Sequence, residues 1–208
     1  MMNLRRATFL ALLGSGYTIV HKLAHGLFPP LRTSPTGRGI TTILWLIATF
    51  TLMVFAYQFL RELSPRDKQL RYSLVSIIVF TGLVIVSQLP LTPASEAELG
   101  DRLLLRISAF CNSLAILVFL ASVGRLVGRS SPLWAPVCGL LWGVVGTVAL
   151  GLVSTGYLLV YLLTGRELEP VAFLPPLSIV MFLFTYGMTI WFLIRFWRVD
   201  NYAGFVDR

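Results

Sequence analysis

The chain has 208 residues, of which 56% are hydrophobic and only 12% charged, with a net charge of +8. So few charges, against roughly 25% in soluble domains, exclude an ordinary water-soluble globule and make the bilayer the solvent to reason with. The positive balance falls in the connectors between apolar stretches, so it reads as a topology signal and does not imply nucleic acid binding.

Crossing a hydrocarbon core of ~30 Å as a helix takes about 20 mostly apolar residues. Six such windows occur, at Ala7–Phe28, Ile40–Leu60, Tyr72–Leu89, Leu103–Gly124, Leu133–Leu163 and Val171–Ile194. They are apolar on all sides, which fits membrane helices and excludes strands of alternating character. Pro29-Pro30, Pro35, Pro65, Pro90, Pro93, Pro132 and Pro170 fall in or beside the connectors, where they stop helices. The expected fold is an all-α bundle of six transmembrane helices forming one domain over 1–208.

The first window follows Arg5-Arg6, a charge pattern shared with signal peptides, but His-Lys-Leu-Ala-His stands where a small-residue cleavage site would be needed. Its retention as a span is therefore expected. It also carries His21, Lys22 and His25, the densest polar set inside any window and the chain's two histidines. A spacing of four puts both imidazoles on one helix face, as in helical metal sites. No further His, and no acidic residue inside a span, completes a ligand set, so no cofactor is expected. A two-histidine metal site finished by Glu96, Glu98 or Asp101 is the alternative. The plain reading is that Lys22 and His25 snorkel at an interface while His21 bonds to a neighbouring helix.

The second window, ending at Arg61-Glu62-Leu63-x-Pro65, resembles the end of the fifth, Arg166-Glu167-Leu168-x-Pro170, at an offset of 105. Ser73 and Ser178, Val75 and Val180, and Gly82 and Gly187 share that offset, a pattern that inverted repeats and chance both produce. The third window adds Gln88. The fourth opens on Arg102 and Arg106, one turn apart and suited either to an anionic group or to pairing with Glu98 and Asp101, and it contains Cys111 and Asn112. Cys111 and Cys138 sit in different spans and read as small apolar packing residues.

The fifth window is too long for a perpendicular crossing and implies tilt, or a bend near Gly151–Gly156. Gly139, Gly143 and Gly146 lay a smooth stripe along one face, fit for close packing inside the bundle or against a partner subunit or second copy. Ser154 and Tyr157 add polarity near its end.

Lys and Arg orient the bundle. With the N-terminus inside, eleven of the 17 fall on the inner side, so both termini are expected in the cytoplasm. Trp134 and Trp197 then lie in an interfacial belt. Short connectors and the lack of glycosylation sequons suit a bacterial inner membrane. In this orientation His21, His25, Gln88, Arg106, Asn112, Ser154 and Tyr157 share the outer half of the membrane.

Motifs of hydrolases, zinc proteases, phosphate-binding loops and dithiol enzymes are absent from the sequence. The leading expectation is a non-enzymatic accessory or interaction subunit of a membrane complex. The second is a binder or carrier of an anionic lipid or other amphipathic molecule, held by His21, Lys22, His25, Gln88, Arg102, Arg106, Asn112 and Tyr157. An intramembrane metal- or cofactor-dependent enzyme using His21 and His25 is third, and an ion-coupled pump is disfavoured because no carboxylate lies within a span.

Overall fold

The computed structural model describes residues 3–28, 34–63, 67–86, 98–164 and 174–198. They form six helices: α1 (Leu4–Leu27), α2 (Pro35–Leu63), α3 (Lys68–Val86), α4 (Glu98–Val127), α5 (Trp134–Thr164) and α6 (Leu174–Trp197). Among the described residues there is no strand. Five helices hold a segment long and apolar enough to cross a membrane, namely Gly39–Leu63, Lys68–Val86, Arg106–Val127, Trp134–Tyr157 and Pro176–Trp197. Helix α1 is less apolar than these, diluted by Gly14-Ser15-Gly16-Tyr17-Thr18 and by His21-Lys22.

Local chemistry sets several of the helix ends. Asn3 caps α1, its Oδ1 accepting from the Arg6 N–H at 2.9 Å. Ser34 does the same for α2 through the Gly37 N–H at 3.0 Å, and Asp67 for α3 through the Leu70 N–H at 2.8 Å. Helix α4 stops at Gly128, whose φ of 72° is the left-handed conformation that glycine adopts without a Cβ penalty.

Each helix packs on its neighbours in sequence, and α6 returns to pack on α1, so the six close into a ring. The closure is antiparallel: Arg5 and Phe9 meet the Trp197 ring at one end of α1, and the Lys22 ammonium lies 5.8 Å from the Phe182 ring at the other. Both described ends of the chain, Asn3 and Arg198, therefore lie at the same end of the ring, here called the terminal end.

Buried side chains gather toward the terminal end. Phe59 is fully buried on the ring axis, where it meets Phe119 of α4 at 5.6 Å and Phe196 of α6 at 5.5 Å. Phe55 adds an edge-on contact with Phe196 at 5.6 Å. Leu70, Leu74, Leu120, Val123, Val137 and Leu193 fill the space around this aromatic plug. The outward faces are apolar as well: Ile40, Ile43, Leu44 and Ile47 on α2, Val75, Val79 and Leu83 on α3, and Phe9, Leu10, Leu13 and Val20 on α1 are all exposed. A surface of this kind matches lipid rather than water.

Close approach is concentrated at two helix pairs. A Cβ added at Gly14 of α1 would meet the Thr51 hydroxyl and stand 2.8 Å from the Ala48 carbonyl oxygen of α2. On α5, a Cβ at Gly139 would stand 2.7 Å from the Met188 sulfur, one at Gly143 3.1 Å from the Thr185 Cα, and one at Gly146 would meet the Met181 methyl. The smooth glycine face is thus covered by α6 of the same chain, and the close packing it permits is intramolecular. Helix α5 itself runs unbroken for 31 residues.

Candidate functional site: a neutral cavity on the ring axis

Above the aromatic plug the ring does not close on itself. It leaves a cavity of about 340 Å³ to which all six helices contribute. Its floor is Phe55, Phe119, Phe192 and Leu193, and Trp45 and Tyr186 stand in its wall. Around these runs a collar of short polar side chains, with Thr18 from α1, Thr49 from α2, Thr81 from α3, Asn112 and Ser113 from α4, Thr147 from α5, and Thr185 and Thr189 from α6.

Most of the collar hydroxyls donate to the backbone one turn earlier. Thr18 donates to the Gly14 carbonyl at 2.9 Å, Thr49 to Trp45 at 2.9 Å, Thr185 to Met181 at 2.7 Å, and Thr189 to Thr185 at 2.9 Å. Ser113 and Thr147 follow the same pattern toward Ala109 and Gly143. A hydroxyl bonded this way keeps its oxygen lone pairs, so these side chains offer the cavity acceptors rather than donors.

One cross-helix hydrogen bond and one close approach of hydroxyls connect neighbouring helices at the collar. Thr81 donates to Asn112 Oδ1 at 3.3 Å across α3 and α4, and the Thr147 and Thr185 hydroxyls lie 3.3 Å apart across α5 and α6. With its carbonyl so engaged, Asn112 is left with its amide N–H groups as the donors of a mainly accepting ring.

Among the described residues no Lys, Arg, His, Asp or Glu is part of the lining. An apolar floor, aromatic walls and a few convergent polar groups in a cavity of this size match small-molecule sites, at the small end of their usual ~300–1,000 Å³ range.

Of the described residues among the candidate ligands, Asn112 alone is part of this lining. His21 stacks on Tyr17 one turn away, with ring centroids 5.9 Å apart and planes 5° from parallel. Lys22 is exposed and reaches Phe182 of α6. Arg106 and Tyr157 are half-buried and are not among the lining residues. Gln88, Glu96 and the side chains of His25, Glu98, Asp101, Arg102 and Ser154 lie outside the described residues. Among the described residues no three of His, Cys, Asp or Glu come together. Cys111 and Cys138 are both half-buried free thiols.

The offset-105 pairs do not share environments throughout: Ser73 is buried in α3, whereas Ser178 is exposed on α6. Residues 165–170, where the second copy of the Arg-Glu-Leu motif falls, lie outside the described residues.

Sequence reasoning missed the threonine collar. The available signal was one hydroxyl or amide near the middle of every span. Comparison of the chain with protein-family models, with characterised proteins and with solved structures finds no match.

Proposed function

We propose that this chain is a six-span integral membrane protein that holds one small, uncharged, amphipathic molecule in its axial cavity and performs no chemistry on it. The observation that carries this reading is the collar itself: six helices each place a short polar side chain around one apolar, aromatic-floored space. The absence of formal charge among the described lining residues disfavours an anionic or cationic guest, because an ion would enter low dielectric with none of them to pair with. The fitting guest has a hydrocarbon or ring body for the Phe floor and a hydroxyl or amide end that donates to threonine oxygens.

Six spans are supported by the exposed apolar residues along α1, which match those on the five more apolar helices, and by the packing of α1 between α2 and α6. The excess of Lys and Arg at the terminal end supports cytoplasmic termini. An accessory-subunit role needs a surface for its partner, and the glycine stripe, which lies under α6, does not supply it.

Native mass spectrometry of the protein released from its own membrane in mild detergent tests the proposal. The expected spectrum shows a stoichiometric small-molecule mass that Asn112→Leu loses while helicity and monodispersity are kept. A wild-type protein with no such mass, or a variant that retains it fully, overturns the reading.

A further inference from the structure

A second feature lies on the outside of the ring. Helices α3 and α4 are separated by a groove of about 550 Å³. Small side chains make it a furrow: Ser73 and Ser76 on α3, and Cys111, Ala115 and Ala121 on α4. Phe80, Leu114 and Val118 form its apolar borders, and Leu114 and Val118 are exposed. From Arg125 to Cys111 the furrow runs about 21 Å at 1.5 Å per residue, enough for one leaflet of a ~30 Å core with part of its headgroup layer.

At the terminal end the groove changes character. Arg125, in the last turn of α4, closes it together with Gln69 and Tyr72 of α3. The guanidinium is held in place on its inner edge: Nε donates to the Ala121 carbonyl at 3.4 Å, and Nη2 donates to Ser122 Oγ at 3.3 Å and to Gln69 Oε1. Five N–H donors are present on a guanidinium, and these three bonds use Nε and both hydrogens of Nη2, which leaves the Nη1 pair. The nearest carboxylate in sequence on α3, Asp67, is engaged as the cap of that helix through the Leu70 N–H at 2.8 Å. Lys68 and Arg129 add positive charge to the same end of these two helices.

From this arrangement we infer that the α3–α4 groove seats one anionic phospholipid, its phosphate on the Nη1 edge of Arg125 and one acyl chain in the furrow floored by Ser76, Ala115 and Cys111. The inference rests on the membrane-spanning reading and is independent of the axial cavity. Charge complementarity selects the occupant: a fixed, forked donor at headgroup depth above a one-leaflet apolar channel suits an acyl chain bearing a phosphate, and the further positive charge of Lys68 and Arg129 favours a net anionic headgroup over one that carries its own cation.

The test uses the full chain, delipidated in mild detergent and titrated with phosphatidylglycerol or phosphatidylcholine of identical chains, with lipid adducts counted by native mass spectrometry. One phosphatidylglycerol is expected to be retained in preference to phosphatidylcholine, and Arg125→Gln to weaken that retention about tenfold. Arg125→Lys, which keeps the charge without the fork, is expected to fall between the two and stands in if the glutamine variant does not fold. Ser76→Phe, which fills the furrow, is expected to lower retention of both lipids. Arg71→Gln, on α3 but not part of the groove lining, is expected to change nothing.

Equal retention of the two lipids by the wild type, no effect of Arg125→Gln, or an equal effect of Arg71→Gln overturns the inference. A chain that stays monodisperse without detergent overturns the membrane reading beneath it instead. Loss of the axial guest in Asn112→Leu with the phospholipid still bound leaves this inference standing.

Discussion

Phe59 touches the rings of Phe55, Phe119 and Phe196 and has no exposed surface, so it joins α2, α4 and α6 across the ring axis. Lipid tails are as apolar as a phenyl ring, so its contribution comes from dispersion and fit rather than from escape from water. Phe59→Ala is accordingly expected to cost about 3 kcal/mol, the low end of the range for such truncations in soluble cores. Reversible unfolding in mixed detergent reads this directly, and a loss below about 1 kcal/mol would show that the plug does not hold the terminal end together. Side chains also explain what could be read in advance. Asn112 stood out because an amide is costly inside a span, whereas the threonines did not, because most of their hydroxyls, Thr81 excepted, are satisfied by their own helix and so carry little penalty in lipid. His21 and Lys22 drew attention by their charge potential; their contacts include an aromatic stack on Tyr17 and the face of Phe182.

Between elements, the deciding quantity is how closely two backbones approach. Gly14 and Gly16 lie two residues apart on α1, but only Gly14 faces α2; a Cβ at Gly16 meets nothing within 4 Å. Gly14→Ala drives a methyl toward the Ala48 carbonyl oxygen and the Thr51 hydroxyl, so α1 and α2 must part. Gly16→Ala adds only helix propensity, worth up to about 1 kcal/mol in its favour. Thermal unfolding in detergent should therefore move in opposite directions for the two variants, by several degrees downward for Gly14→Ala. Matching shifts would mean that the α1–α2 contact is looser than described. The glycines of α5 were legible as a packing stripe from their spacing alone. Which helix would take the stripe was not, because these helices are apolar on all sides and their sequences mark no face for a neighbour. Gly14 went unnoticed for the same reason: a single glycine beside Ser15 and Gly16 has no period to betray it.

For the whole molecule, hydropathy made the helices and their approximate limits readable, since length and apolarity are what the bilayer selects. Ring closure by α1 against α6 was not readable, because it depends on contacts between residues almost a full chain apart, such as Phe9 with Trp197. That closure makes a prediction about the membrane. If α1 crosses the bilayer with the other five helices, Asn3 and Arg198 lie on one side and Ser34, at the start of α2, lies on the other. The check begins from a background with Cys111 and Cys138 replaced by alanine, into which single cysteines are introduced at Asn3, Ser34 and Arg198. Labelling with a membrane-impermeant maleimide is then compared between intact cells and inverted vesicles. Cysteines at positions 3 and 198 should label only from the inverted side, and that at position 34 only from the outside, as the Lys and Arg distribution requires. A complete exchange of sides would keep the ring and reverse its orientation, moving the Arg125 end of the α3–α4 groove to the outer leaflet. Position 34 labelling from the same side as position 3 would instead remove α1 from the set of spans, and with it Thr18 from the wall of a membrane-embedded cavity.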